Sequence, residues 1–145
     1  MTKVYIASDH AGYGLKLELL PYLSTLDCEV EDIGPHTLNP EDDYPDFITP
    51  CAQKVAHDKD SFGIVMGKSG QGEAMAANRV PGARAALFYG GNQELIRLAR
   101  EHNNANILSL GAGFVAVEEA KTAVRMFLQT SFSNEERHTR RIGKF

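Results

Sequence analysis

A three-layer α/β/α fold around a five-stranded parallel sheet is predicted by three features of this 145-residue chain. Short apolar runs alternate with stretches of helical periodicity, the mark of repeated βα units. Glycine-rich turns stand where apolar runs end, as at Gly67-Lys68-Ser69-Gly70-Gln71-Gly72 and at Gly111-Ala112-Gly113. The composition, 43% apolar and 23% charged, is that of a globular chain able to bury a real core in one domain spanning 1–145.

Val4 to Ala7 reads as the first strand, followed by Leu15, Leu19, Tyr22, Leu23 and Leu26 at helical spacing. Cys28 to Ile33 forms the second strand, closed by Gly34-Pro35. A polar loop with Asn39-Pro40 and Asp42-Asp43-Tyr44-Pro45 leads to a helix striped by Phe47, Cys51 and Val55. Gly63 to Met66 is the third strand; the glycine-rich turn and a short helix through Ala74-Met75-Ala76-Ala77-Asn78 come next. After the Val80-Pro81-Gly82 turn, Ala85 to Tyr89 is the fourth strand.

Gly90-Gly91-Asn92 precedes a helix carrying Leu95, Leu98 and Ala99, and Ile107 to Leu110 is the fifth strand. Val117, Ala120, Val124, Phe127 and Leu128 line the last long helix. Ser133, with Glu136 three residues on, reads as a capping box for a short terminal helix. Right-handed crossovers then give a doubly wound, Rossmann-like sheet, with ligands expected at the carboxyl ends of its strands.

No apolar run approaches the ~20 residues of a membrane span, and the start of the chain has no signal-peptide pattern. Cys28 and Cys51 show neither metal spacing nor a disulfide framework, so a cytoplasmic location is expected. The net charge of -4 argues against nucleic acid as a partner.

The run Gly67-Lys68-Ser69-Gly70-Gln71-Gly72-Glu73 carries most of the chemistry. A glycine turn feeding a helix start aims several N–H groups into one space, which suits a phosphate or a developing oxyanion. Glu73 adds a carboxylate at the rim, a base suited to proton abstraction beside a carbonyl. The helix dipole lowers that carboxylate's pKa while burial raises it, and the sequence leaves the balance open. A P-loop is excluded, because the required glycine five residues before Gly67 is Phe62.

Asp9 and His10 follow the first strand directly. They face the ligand crevice, or Asp9 simply caps the first helix. His102 can act as an acid near neutrality or be a histidine favoured by a helix C-terminus. Asn103 and Asn104 fit left-handed turn positions. Arg137, Arg140, Arg141 and Lys144 form a basic cluster suited to phosphate monoesters, or a solvated terminal face.

Taken together, these segments resemble the sugar-phosphate isomerase family of type B ribose-5-phosphate isomerases and galactose-6-phosphate isomerase subunits. The stretches that carry the resemblance are Ser8-Asp9-His10-Ala11-Gly12, Asp43-Tyr44-Pro45-Asp46, Gly70-Gln71-Gly72-Glu73 with Ala76-Ala77-Asn78, and Pro81-Gly82-Ala83-Arg84-Ala85. Leu98-Ala99-Arg100-Glu101-His102-Asn103 and Arg137-His138-Thr139-Arg140-Arg141 complete the ordered set.

The resemblance implies reversible aldose–ketose conversion of a phosphorylated sugar, with no metal or cofactor and with ribose 5-phosphate favoured. Many members place a cysteine base where this chain has Gly67; the present chain resembles the subgroup whose base is glutamate, here Glu73. By the same resemblance Ser69 and the N–H groups from Gly70, Gln71 and Gly72 to Glu73 stabilise a cis-enediol intermediate. His102 opens the sugar ring with help from Asp9, and Asn103 hydrogen-bonds the substrate. His10, Arg137 and Arg141 hold the phosphate, with Lys68 nearby.

The tail, 133–145, is expected to reach a partner subunit of a homodimer (or a dimer of dimers) with shared sites. The family often has arginine where this chain has Gly113, and the Tyr89-Gly90-Gly91-Asn92-Gln93 segment is longer than usual. Both departures keep a six-carbon sugar phosphate, such as allose or galactose 6-phosphate, as an alternative. Two further alternatives are a non-catalytic sugar-phosphate binder and, from fold class alone, a flavodoxin-like cofactor binder.

Overall fold

The computed structural model describes residues 1–145. Five strands, β1 (Thr2–Ser8), β2 (Cys28–Gly34), β3 (Phe62–Gly67), β4 (Ala85–Phe88) and β5 (Ile107–Gly111), form one parallel sheet in the order β2-β1-β3-β5-β4. The helices are α1 (Tyr13–Ser24), α2 (Pro45–His57), α3 (Gln71–Asn78), α4 (Glu94–Asn103), α5 (Val117–Gln129) and α6 (Glu136–Ile142). None is long and apolar enough to cross a membrane. The predicted α/β class and five-stranded parallel sheet are observed.

The layers follow from which side chains each helix buries. On one face, Leu15, Leu19 and Leu23 of α1 pack with Ile96 of α4 and with Ala120, Ala123, Val124 and Phe127 of α5. On the other, Ile48, Cys51, Ala52 and Val55 of α2 join Ala77 of α3. Between them, residues of β1, β3 and β5 are buried on both faces, as central parallel strands require. Each fully buried aliphatic or aromatic side chain contributes about 1.5–3 kcal/mol.

Chain order runs outward from β1 to β2, then back across to β3, so the β1/β3 boundary is where the winding reverses. Crevices at such reversals, outside the carboxyl ends of the strands, take ligands. Asp9, His10 and the turn 67–73 all lie there.

The structure corrects three sequence expectations. The apolar stripe expected on α4 included Leu95, which is exposed; the buried positions are Ile96 and Arg100. Arg100 turns inward because its guanidinium lies over the Phe62 and Phe127 rings and donates to the carbonyls of Thr130 and Ala105. Leu26 falls beyond the end of α1, in the turn to β2. Ser133 does not cap α6: Glu135 holds that position, and the Ser133 Oγ accepts a bond from the Glu135 N–H instead.

Lys16, fully buried on α1, donates to Asp32 (2.8 Å) and to the Pro35 carbonyl. That pairing anchors the loop 35–44, which runs from β2 to α2 along the rim of the crevice. A buried ammonium is tolerable only when paired in this way.

Candidate active site

The glycine turn is built as the sequence predicts. Gly70 sits in the left-handed region (φ 76°) as the residue before α3, and its carbonyl accepts a bond from the buried Ser109 hydroxyl of β5 (2.7 Å). A Cβ at this position would also meet the Leu110 backbone at 2.9 Å. Ser69 Oγ accepts the Gln71 N–H (3.2 Å), so this side chain closes the turn. The N–H groups of a helix's first turn have no intrahelical carbonyl to donate to; at the start of α3 that of Gln71 is taken by Ser69 Oγ and that of Glu73 by its own carboxylate, which leaves those of Gly70 and Gly72.

Glu73 is the buried charge of the site, with 4% of its surface exposed. Its carboxylate lies against Gly67 so closely that a Cβ on Gly67 would land on it, the farther oxygen Oε2 being 2.8 Å away. Burial pushes the Glu73 pKa up; its own backbone N–H pulls it down, and the nearby Asp9 carboxylate raises it further. The balance left open by the sequence therefore falls toward a raised pKa, as a general base near neutrality needs.

Asp9, also buried, accepts the Gly12 N–H on Oδ1 (3.0 Å), so it shapes the turn into α1 while standing beside Glu73. Asp42 of the loop 35–44 takes both the His10 backbone N–H (3.1 Å) and ring Nδ1 (2.7 Å) on one oxygen. The hydrogen bond to Asp42 raises the His10 pKa, partly opposed by desolvation. Donor atoms of Asp9, His10 and Asp42 lie within 4.8 Å of one another, the spacing of a cation site. Their mutual bonds and the Gly12 contact already account for that closeness.

Lys68 is exposed, and its aliphatic stem lies along Gly113, where a Cβ would meet Lys68 Cε at 3.1 Å. Tyr44 lies over Gly72, its hydroxyl 2.7 Å from where a Cβ would stand.

The remaining predicted site residues lie elsewhere. His102 and Asn103 end α4, next to the start of β5, whereas Glu73 follows the end of β3. Strands β3 and β5 pair in register from Gly63↔Ile107 to Gly67↔Gly111. Four residue steps separate the two ends, about 13 Å at ~3.3 Å each. One chain thus holds Asp9, His10, Lys68, Ser69, Gly70, Gln71, Gly72 and Glu73 at one edge of the sheet and His102 and Asn103 at the other. The predicted site residues are thus divided between the two ends of one chain's sheet.

Arg137 and Arg141 stay with His102. The His102 ring stacks on that of His138 from α6 (centroids 4.3 Å apart, 17° between planes), and Ser133 N–H donates to the Glu101 carbonyl (3.2 Å). Burial pushes the His138 pKa down, with His102 and Arg137 adding to it. Arg137 and Arg141 are exposed, the former 3.6 Å from Glu135. Asn103 lines a cavity of about 660 Å³ together with Asn78, Arg84 and Phe145.

Sequence reading missed Asp42, Tyr44 and His138 as members of these clusters. Only the quoted Asp43-Tyr44-Pro45-Asp46 and Arg137-His138-Thr139 stretches pointed near them.

With this geometry in view, comparison with known proteins is informative. The Ribose/Galactose Isomerase family profile matches residues 4–145. Ribose-5-phosphate isomerase B of Mycolicibacterium paratuberculosis is 44% identical over 140 residues, covering 97% of this chain and 87% of the relative. The Mycobacterium tuberculosis protein of the same name is 43% identical, covering 97% and 85%.

Among solved structures, ribose-5-phosphate isomerase B of Mycoplasma genitalium with bound ribulose-5-phosphate superposes with a TM-score of 0.92. It is 40% identical, and the match covers 99% of this chain and 93% of that one. The Clostridium thermocellum enzyme gives 0.92 at 42% identity, covering 99% and 94%. Full-length identity at this level, with the same fold, settles the relationship: the chain belongs to the Ribose/Galactose Isomerase family and is an aldose–ketose isomerase.

Proposed function

We propose that this protein interconverts ribose 5-phosphate and ribulose 5-phosphate by metal-independent proton transfer through a cis-enediol. The observation that carries the reading is Glu73, a buried carboxylate of raised pKa held at the β1/β3 crevice beside the glycine turn 67–72. The Mycoplasma genitalium relative with ribulose-5-phosphate bound supports the choice of pentose.

In this mechanism Glu73 removes the proton from C2 of the open-chain aldose and returns it to C1. As negative charge builds on O1 and O2, Ser69 and the N–H groups from Gly70 to Glu73 offset it, the largest usual contribution to such a step. Ring opening comes first: His102 of the partner subunit gives a proton to the ring oxygen while Asp9 takes the anomeric hydroxyl proton. Asn103 of the partner subunit holds a sugar hydroxyl. His10 and Lys68, with Arg137 of the partner subunit and Arg141 of the partner subunit, hold the phosphate.

The division of the residues between two sheet edges supports a homodimer with composite sites. Met75 and Leu87 leave an exposed apolar strip on α3 and the edge strand β4, where a second copy fits. Two free, buried cysteines agree with a reducing compartment such as the cytoplasm.

A six-carbon sugar phosphate is the second reading, favoured by one observation: Gly113 offers no side chain after β5, and the Lys68 carbonyl and stem are what lie against it. A sensor without turnover has no use for a buried base of raised pKa.

Proton NMR of the enzyme with ribose 5-phosphate in D2O and EDTA tests the proposal. Ribulose 5-phosphate carrying deuterium at C1, and recovered aldose carrying it at C2, is the expected result. Absence of conversion with ribose 5-phosphate, but conversion of a six-carbon phosphate, would transfer the mechanism to the second reading. Conversion that stops with EDTA would contradict metal independence.

A further inference from the structure

We infer that Asp42 is a positioning residue that holds the His10 imidazole as a cation aimed at the substrate phosphate. The inference rests on the proposed phosphate-binding role of His10 and adds to it a residue that no part of the catalytic argument requires.

The geometry is a two-point grip. A single Asp42 oxygen accepts both the His10 backbone N–H (3.1 Å) and ring Nδ1 (2.7 Å), so the ring is fixed in position and in rotation. A carboxylate accepts only, so Nδ1 carries the proton of that bond. Nε2 is then the nitrogen left for a ligand. In the neutral ring it is a lone pair, which repels a phosphate oxygen; in the imidazolium it is an N–H donor. Asp42 therefore makes His10 a phosphate ligand only in the charged form.

Burial shows which form the fold favours. The Asp42 side chain is 6% exposed, its second oxygen Oδ2 is buried without any donor, and no lysine or arginine pairs with it. An ionised carboxylate so enclosed needs a counter-charge, and the His10 ring is the group placed to provide one. The carboxylates facing His10 are Asp42 from the loop 35–44 and Asp9 from the end of β1, and both favour the cation. Lys16 holds the start of that loop through Asp32 and Pro35. A backbone bond alone would suffice to pin the loop; the ring bond adds charge control.

The test is His10 titration by two-dimensional NMR of the full-length enzyme without sugar, then with inorganic phosphate, beside steady-state kinetics. Wild-type His10 should stay imidazolium above the ordinary histidine value, with Nδ1 protonated throughout. Asp42→Asn keeps an acceptor but removes the charge. It should move the His10 titration down by about one pH unit and weaken phosphate binding. The KM for ribose 5-phosphate should rise by about tenfold, the rise steepening above neutral pH and the loss falling mainly on KM rather than kcat.

Wild-type His10 titrating at or below the ordinary value overturns the inference without recourse to any variant. So does an Asp42→Asn enzyme whose His10 titration drops while phosphate binding and KM hold. A protein that leaves ribose 5-phosphate unchanged, yet keeps the elevated titration and its phosphate response, would remove that substrate and leave the role of Asp42 supported.

Discussion

The Glu73 carboxylate occupies the space in front of Gly67, where any side chain at the end of β3 would begin. Two residues six apart in sequence thus define one position in the crevice: one supplies the proposed base, and the other must have no side chain. The sequence comparison that set Glu73 against a cysteine at position 67 becomes a steric alternative, since both groups cannot stand there together.

Gly67→Ala should therefore be far more damaging than its size suggests. The added methyl displaces the carboxylate by an ångström or more, and a misplacement of that order costs about 100-fold in kcat. The fold should survive, as measured by an unchanged circular dichroism spectrum. Near-normal kcat in Gly67→Ala would mean that Glu73 does not act from this position.

Removing the charge of Glu73 should separate chemistry from stability. Glu73→Gln is expected to abolish turnover yet retain thermal stabilisation by ribose 5-phosphate. The free variant should also melt higher than wild type at pH 7. The sign follows from the raised folded-state pKa: the neutral carboxyl is preferred in the fold, so stability is highest below the unfolded pKa and falls as pH rises through the folded value. The gain in Tm is expected near neutrality and should vanish in acid. A lower Tm at pH 7 would contradict the burial argument.

Asp9 contributes to the same pKa, so Asp9→Asn should move the acid limb of the kcat profile to lower pH. On the proposed role of Glu73, wild-type activity should fall as acid protonates it, with the limb shifted upward from an ordinary glutamate's because burial and Asp9 raise its pKa. An acid limb unmoved by Asp9→Asn would assign that limb to another group.

Lys68 and Gly113 are in contact, the Lys68 stem lying along the glycine. Lys68→Ala should raise KM about threefold to tenfold with kcat less affected, the usual range for one charge-assisted contact to an anion. Gly113→Arg should gain more affinity when Lys68 is also shortened, because the Lys68 stem lies 3.1 Å from where the new side chain starts, while the Lys68 carbonyl at 3.0 Å crowds it in either background. A double-mutant cycle measures this coupling, and simple additivity would show the two positions to be independent.

Much of this was legible in the sequence because local chemistry dictates it. Alternating apolar runs and glycine turns fixed the strands and the 67–73 cradle, and Glu73 followed from its place at the start of α3. Arg100 shows where such reading ends: an arginine was not expected on the buried face of α4, since its partners are the distant Phe62, Phe127 and Thr130 carbonyl. Asp42 escaped for the same reason, its ring contact to His10 spanning 32 residues. The separation of His102 from Glu73 is a property of parallel strands, which put a residue that precedes one strand at the other end of the sheet from a residue that follows its neighbour. Spacing along the chain carries no trace of it.

The composite site is the central claim, and subunit complementation tests it most directly. Glu73→Gln and His102→Ala enzymes, each inactive alone, are mixed under conditions that exchange subunits and then assayed with ribose 5-phosphate. Random exchange makes half the dimers mixed, each with one intact site of two, so about a quarter of wild-type activity should return. Absence of recovery after mass spectrometry has verified the exchange would show that Glu73 and His102 do not meet across a subunit boundary.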